Sequence, residues 1–123
     1  MAGHPPASVS YAVSAGGSAV VETEFAGTPM EMVTVYTLDQ GRLKLTHFCM
    51  LGNQPRMELV EVRGDTLVFD LVGLGNGDPA KDVHMHHAEI TFGGADRVQS
   101  AWTLWKDGKA GDTHAFDLQR AAN

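Results

Sequence analysis

The chain has one cysteine among 123 residues, Cys49, so no intrachain disulfide can form and a disulfide-stapled scaffold is excluded. It is short of basic residues too: nine Lys and Arg against fifteen Asp and Glu leave a net charge of −6. Arg42, Lys44, Arg56 and Arg63 are dispersed among acidic residues. No basic stripe exists to displace counterions from phosphate, and no nucleic-acid partner is expected. Apolar runs stop after a few residues, whereas a helix needs roughly 20 to cross a bilayer, so no membrane association is expected. The stretch from Met1 to Pro6 offers neither a basic n-region nor an apolar h-region, which reads as no signal peptide and cytoplasmic residence. Also missing are internal repeats, low-complexity tracts and any amphipathic helix of three turns.

What the chain has is period-2 alternation from end to end. It predicts strands at 8–14, 18–25, 31–38, 42–49, 56–62, 65–72, 84–92, 96–105 and 111–119. The breaks, such as Asp39-Gln-Gly41 and Lys106-Asp-Gly-Lys109, supply the Gly, Asn, Asp or Pro that a tight reversal requires. Short links between consecutive strands make an antiparallel up-and-down meander. A meander of this length closes into a barrel of about eight to ten strands, which removes exposed edges. With 43 % hydrophobic and 20 % charged residues, the reading is a single all-β domain over 1–123, residues 1–7 being a frayed lead-in. The segment from Gly73 to Asp82 is the exception to short links: long, Gly-rich and running into His84, it reads as a mouth loop or a solvated crossover.

Histidines carry the functional signal. Residues two apart on a strand face the same way. His84 and His86 are then in phase with Ala88, Ile90 and Phe92, His47 with Leu43, Leu45 and Cys49, and His114 with Phe116 and Leu118. A lone inward histidine is ordinarily a core residue satisfied by one hydrogen bond. Several sharing one interior cost several kcal/mol unless something neutralises their polarity together. Neutral imidazoles in that setting suit Zn²⁺ or another divalent transition metal, with His47, His84 and His86 as a facial triad and His114 as a fourth ligand or supporting donor. His87 is expected to point outward, and His4 lies in the lead-in.

Other polar residues fit around such a centre. Glu22 sits in an apolar stretch, and Tyr36 alternates with Met32 and Thr34, so both are candidate catalytic groups beside a metal-bound water. Glu31 is a further candidate carboxylate, and each of these glutamates has the plainer reading of a solvated outward residue. Cys49 reads as core filling or a soft ligand. Trp102 reads as core and Trp105 as far rim. Arg56, in Gly52-Asn-Gln-Pro-Arg-Met57, is either a clamp for an anionic substrate or a solvated turn residue.

Three strings, Glu31-Met-Val-Thr-Val-Tyr36, Thr46-His-Phe-Cys49 with Gly52-Asn-Gln-Pro-Arg-Met57, and Asp78-Pro-Ala-Lys-Asp82 with His84-Met-His86, carry a resemblance. From about Ser18 to Arg120 the chain resembles a group of small bacterial proteins of the domain-of-unknown-function type, similar to lipocalin-like (calycin-like) β-barrels. The resemblance implies an up-and-down barrel with a central cavity and puts His47, His84 and His86 in the matching motifs. It brings no activity with it. Barrels of this kind usually begin with a Gly-x-Trp strand that this chain lacks, which leads to the expectation that either the barrel is short by a strand or a partner chain in a homodimer covers the gap.

Two functions follow as expectations. In one, a Zn-dependent hydrolase attacks an ester, lactone or phosphoester through metal-bound water. In the other, a non-catalytic lipocalin-like barrel binds an apolar small molecule or haem, a role that six Met and five Phe would suit.

Overall fold

Alternation of apolar and polar residues, broken by turn-forming pairs, becomes nine antiparallel strands in the computed structural model, which describes residues 8–121. In chain order they are β1 Val9–Ser14, β2 Ala19–Glu24, β3 Met32–Asp39, β4 Arg42–Phe48, β5 Gln54–Arg63, β6 Thr66–Gly75, β7 His84–Phe92, β8 Arg97–Lys106 and β9 Lys109–Gln119. The expected lead-in of residues 1–7, with His4, lies outside the described residues. Each strand pairs with its sequence neighbours, giving the order β1 to β9 in one sheet. This is the all-β up-and-down meander that the sequence predicts. The only helical piece among the described residues is a 3₁₀ turn at Ala15–Gly17.

Turn chemistry fixes the register at two of the three hairpins with two-residue links. Gln40 and Gly41 (φ 52° and 82°) join β3 to β4, and Asp107 and Gly108 (φ 52° and 74°) join β8 to β9. Two consecutive positive φ values match the right-handed twist of paired strands. Glycine takes the second position because it adopts that conformation without a Cβ clash.

The sheet curls so that one face closes on itself. Leu45, Met57, Phe69, Ala88, Ile90 and Trp102, from β4 to β8, form the buried core, with Tyr36, Leu43 and Phe116 packed against it. Across the seam between first and last strands, Phe25 meets Phe116 edge-to-face at 6.1 Å. No ladder joins β1 to β9 among the described residues. With nine alternating strands β1 and β9 run parallel, so closing the ring would take a parallel ladder, unlike the antiparallel pairing used everywhere else.

The segment after β6 departs from the mouth-loop expectation. β6 runs on to Gly75, and residues 76–83 are tied to the turn after β4 rather than to the interior. Asn76 Nδ2 donates to the Gly52 carbonyl (2.8 Å), and Asn53 Nδ2 donates to the Val83 carbonyl (2.9 Å). Asn53 is 4 % exposed, so truncating it strands a carbonyl away from water. Asn53→Ala is expected to lower stability by about 1–2 kcal/mol in urea unfolding, whereas Asn76→Ala, on an exposed partner, should change it by less than about 0.5 kcal/mol.

Candidate functional site

A row of polar side chains crosses the inner face of the first four strands. Register places Tyr11 opposite Glu22, Glu22 opposite Thr34, and Thr34 opposite His47. Glu24 and Tyr36 flank the row, two residues from Glu22 and Thr34 and therefore on the same face. Tyr36 donates to Glu22 Oε1 at 2.7 Å. Thr34 Oγ1 lies 2.8 Å from both Glu24 Oε1 and His47 Nδ1, so it bridges a carboxyl and an imidazole. Thr34, His47, Glu22 and Glu24 are all buried.

Of these residues, Tyr11, Glu22, Glu24 and His47 wall one side of an interior cavity of about 500 Å³. The rest of the lining is largely apolar and is dominated by Met30, Met32, Met50, Met85, Phe25 and Phe116. Trp102 also lines it, with its ring 5.0 Å from that of His47. Four of the six methionines therefore face this space. Methionine side chains are flexible and polarizable, which suits a surface that adapts to what it holds.

Burial sets the protonation of the row. Burial foremost, and the neighbouring Glu22 carboxylate next, push the Glu24 carboxyl up to about 8. Burial also raises Glu22, against hydrogen bonds from Tyr36 and Tyr11 that lower it. The Tyr11 and Tyr36 phenols are raised by burial and then by the same carboxylates, so both stay protonated donors. Burial lowers His47 to about 4. At neutral pH the row therefore holds a neutral imidazole and a protonated Glu24. Thr34 has one hydroxyl hydrogen, so it gives to one neighbour and accepts from the other. Thr34 donates to Glu24 Oε1, so it accepts from His47 Nδ1–H and leaves His47 Nε2 as a bare lone pair. Thr34→Val removes the bridge at constant shape and leaves two buried groups unpaired. It is expected to destabilise the fold by about 2 kcal/mol, read by urea unfolding at pH 6.

The structure divides the four histidines that the sequence brings together. His47 and His114 line the cavity; His84 and His86 do not. The cause is a β-bulge. Met85 pairs with Leu104 and His87 with Thr103, which leaves His86 without a partner and shifts the alternation by one residue. Met85, rather than His84 or His86, then joins Ile90 in the cavity wall. His84 is fully buried elsewhere, its Nδ1 2.8 Å from the Asp82 carbonyl and its Nε2 2.9 Å from His86 Nδ1. His86 stacks on Trp105, with ring centroids 3.7 Å apart. Among the described residues, no group of three or more His, Cys, Asp or Glu is disposed to hold a metal ion.

The remaining candidates fall as follows. Glu22 and Tyr36, expected as partners of a metal-bound water, are brought together, but with each other. Cys49 lines the cavity, its thiol raised by burial. Glu31 is exposed and accepts from the Gly27 amide at 2.7 Å, closing a turn. Arg56 is exposed, and its guanidinium lies over Gly73, where an added Cβ would sit 2.7 Å from Nη2. His87 faces out between Asp70 (2.6 Å) and Glu89 (3.0 Å), as expected of an outward residue; burial opposes its charging, and the two carboxylates outweigh it and raise its pKa. Glu24 and Thr34 are the residues that sequence reasoning passed over. The signal was their phase: Glu24 alternates with Glu22, and Thr34 with Tyr36. A comparison of the chain with protein families, with curated proteins and with solved structures finds no match. No helix among the described residues is long and apolar enough to cross a membrane.

Proposed function

We propose that this protein is a small-molecule-binding barrel that takes an apolar ligand into its interior, with the Glu22–Glu24–His47 wall engaging one polar group on it. The observation that carries this reading is the cavity itself. Its volume of about 500 Å³ falls within the range of ligand sites, and its lining is apolar with a few convergent polar groups on one side. An ordinary core of this size would be filled by side chains, because interiors pack closely. The zinc hydrolase has less support, since the cavity presents two of its four expected histidines, and His84 and His86 spend their facing nitrogens on each other.

Trp102 reports on occupancy because it lines the cavity, while Trp105 lies against His86. In the Trp105→Phe protein, apolar dyes or medium-chain hydrocarbon probes are expected to shift Trp102 emission saturably. Leu104→Trp, which fills part of the cavity, is expected to weaken probe binding at least tenfold by calorimetry on the otherwise unaltered chain. Equal affinity in the filled variant would remove this reading. Metal analysis separates the alternative: stoichiometric zinc in purified protein, lost in both His47→Ala and His86→Ala, would favour the hydrolase instead.

A further inference from the structure

The cavity wall holds two carboxyl groups and no cation to match them. Glu22 and Glu24 face the same space, and neither Lys nor Arg lines it among the described residues. Their protein partners do not saturate them. Glu22 Oε1 accepts from Tyr36 and Glu24 Oε1 from Thr34, but Glu24 Oε2 is buried with no hydrogen-bond partner other than the carboxyl of Glu22, with which Glu24 shares a proton. Glu24 as a whole is 9 % exposed, so bulk water does not serve that oxygen. A buried carboxyl oxygen whose one neighbour is a second carboxyl is a place that a charged donor can take over.

What kind of donor fits is set by the surroundings. An anionic ligand would meet two carboxyls at close range. A neutral one would leave the pair without a counter-charge. A protonated nitrogen supplies both the N–H donor and the positive charge, and charge-assisted bonds of this kind are the stronger ones. The rings of Tyr11, Phe25, Trp102 and Phe116 line the same cavity, and aromatic faces attract a cation. A bare metal ion matches this space poorly. The cavity is far larger than an ion requires, and its wall is mostly hydrocarbon and thioether.

We propose that the ligand is an apolar amine, its hydrocarbon or aromatic body among the methionines and its protonated nitrogen donating to Glu24 Oε2 beside Glu22. This rests on the cavity being a ligand site, and it names the class of ligand. No covalent bond to the ligand forms; the O–H bond of the carboxyl pair breaks and its proton leaves to solvent. Binding exchanges the proton held by the carboxyl pair for the ammonium of the ligand.

The test uses three probes of equal chain length, decylamine, decanol and decanoate, each below its micelle-forming concentration. They are titrated at pH 7 by calorimetry on the full chain and by Trp102 emission in Trp105→Phe. Decylamine is expected to bind at least tenfold more tightly than decanol, and decanoate more weakly than either. Glu24→Gln and Glu22→Gln should each cut the ratio of amine to alcohol affinity to below threefold, with thermal melts confirming that both variants are folded. Decanol or decanoate binding as well as decylamine would overturn the amine assignment and leave the cavity reading standing. So would an amine preference that survives in both variants. If none of the three probes binds, the cavity reading and the amine assignment fall together.

Discussion

Replacing Glu24 with glutamine is expected to make the protein more stable at pH 8, by on the order of 3 kcal/mol, and to change it little near pH 4.5. In the folded protein this carboxyl titrates at about 8, against an ordinary value of 4.5. Between those two values the unfolded chain has released the proton and the folded one still binds it. The folded state then carries more protons than the unfolded state, so stability falls as pH rises through this window. His47 works in the opposite sense over part of it. Its folded value of about 4, against 6.5 ordinarily, means that the unfolded chain binds the extra proton between pH 4 and 6.5, so stability rises with pH there. From about pH 4.5 to 6.5 the His47 slope opposes the Glu24 slope, so the wild-type profile should fall less steeply there than above pH 6.5. From 6.5 to 8 the Glu24 slope, joined by that of the buried Glu22, remains and stability should decline. In Glu24→Gln the Glu24 slope is gone, so the decline from pH 6.5 to 8 should be much shallower than in wild type. Urea unfolding at half-unit pH intervals reads both profiles. A wild-type curve that keeps rising from pH 6.5 to 8 would show that Glu24 is ionised in the folded state like an exposed carboxyl. The exposed pairs Lys44 with Asp39 and Arg97 with Asp117 add little to either curve, because solvent screens them.

The largest purely structural loss is expected from Phe69→Ala, at about 3–5 kcal/mol. Phe69 is fully buried on β6, at the centre of the core cluster. Removing the ring forfeits its burial and leaves a void that a curled sheet cannot collapse, because its neighbours are fixed by ladders on both sides. The ring also meets Tyr36 edge-to-face at 6.3 Å, and Tyr36 holds Glu22 through its hydroxyl. The substitution should therefore loosen the acidic wall as well as the core. A folded remnant of Phe69→Ala is expected to show weaker discrimination between amine and alcohol probes, at a thermal midpoint many degrees below wild type. Phe69→Leu, which keeps most of the volume, should recover most of the stability. A loss under 1 kcal/mol for the alanine variant would mean that the core is not packed around this residue.

Particular residues show how far the sequence could be read. The run Leu43, Leu45, His47 is legible as an inward face, because no bulge interrupts β4 and the period of two holds throughout. The same holds for Glu22 and Tyr36, and for Trp102 in phase with Leu104. At β7 the identical argument misplaced His84 and His86. The bulge between Met85 and His87 inserts one unpaired residue, and a slip of one residue sends every side chain beyond it to the other face. Nothing in the string of histidines announces that insertion. It is set by how β7 must bend to stay paired with β8, which has its own irregularity between Thr103 and Trp105.

Local chemistry thus determined the strands, their turns, their order and the inward phase of each uninterrupted segment, since all of these depend on residues within a few positions of one another. Only the tertiary structure decided which inward residues share a space. Glu22 and Glu24 from β2, Thr34 from β3 and His47 from β4 meet because consecutive ladders set their register, and His114 reaches the same cavity because the sheet curls through nine strands. Curl and bulge are properties of the whole sheet, the summed result of twist and packing over every pair of strands, and no single segment encodes them.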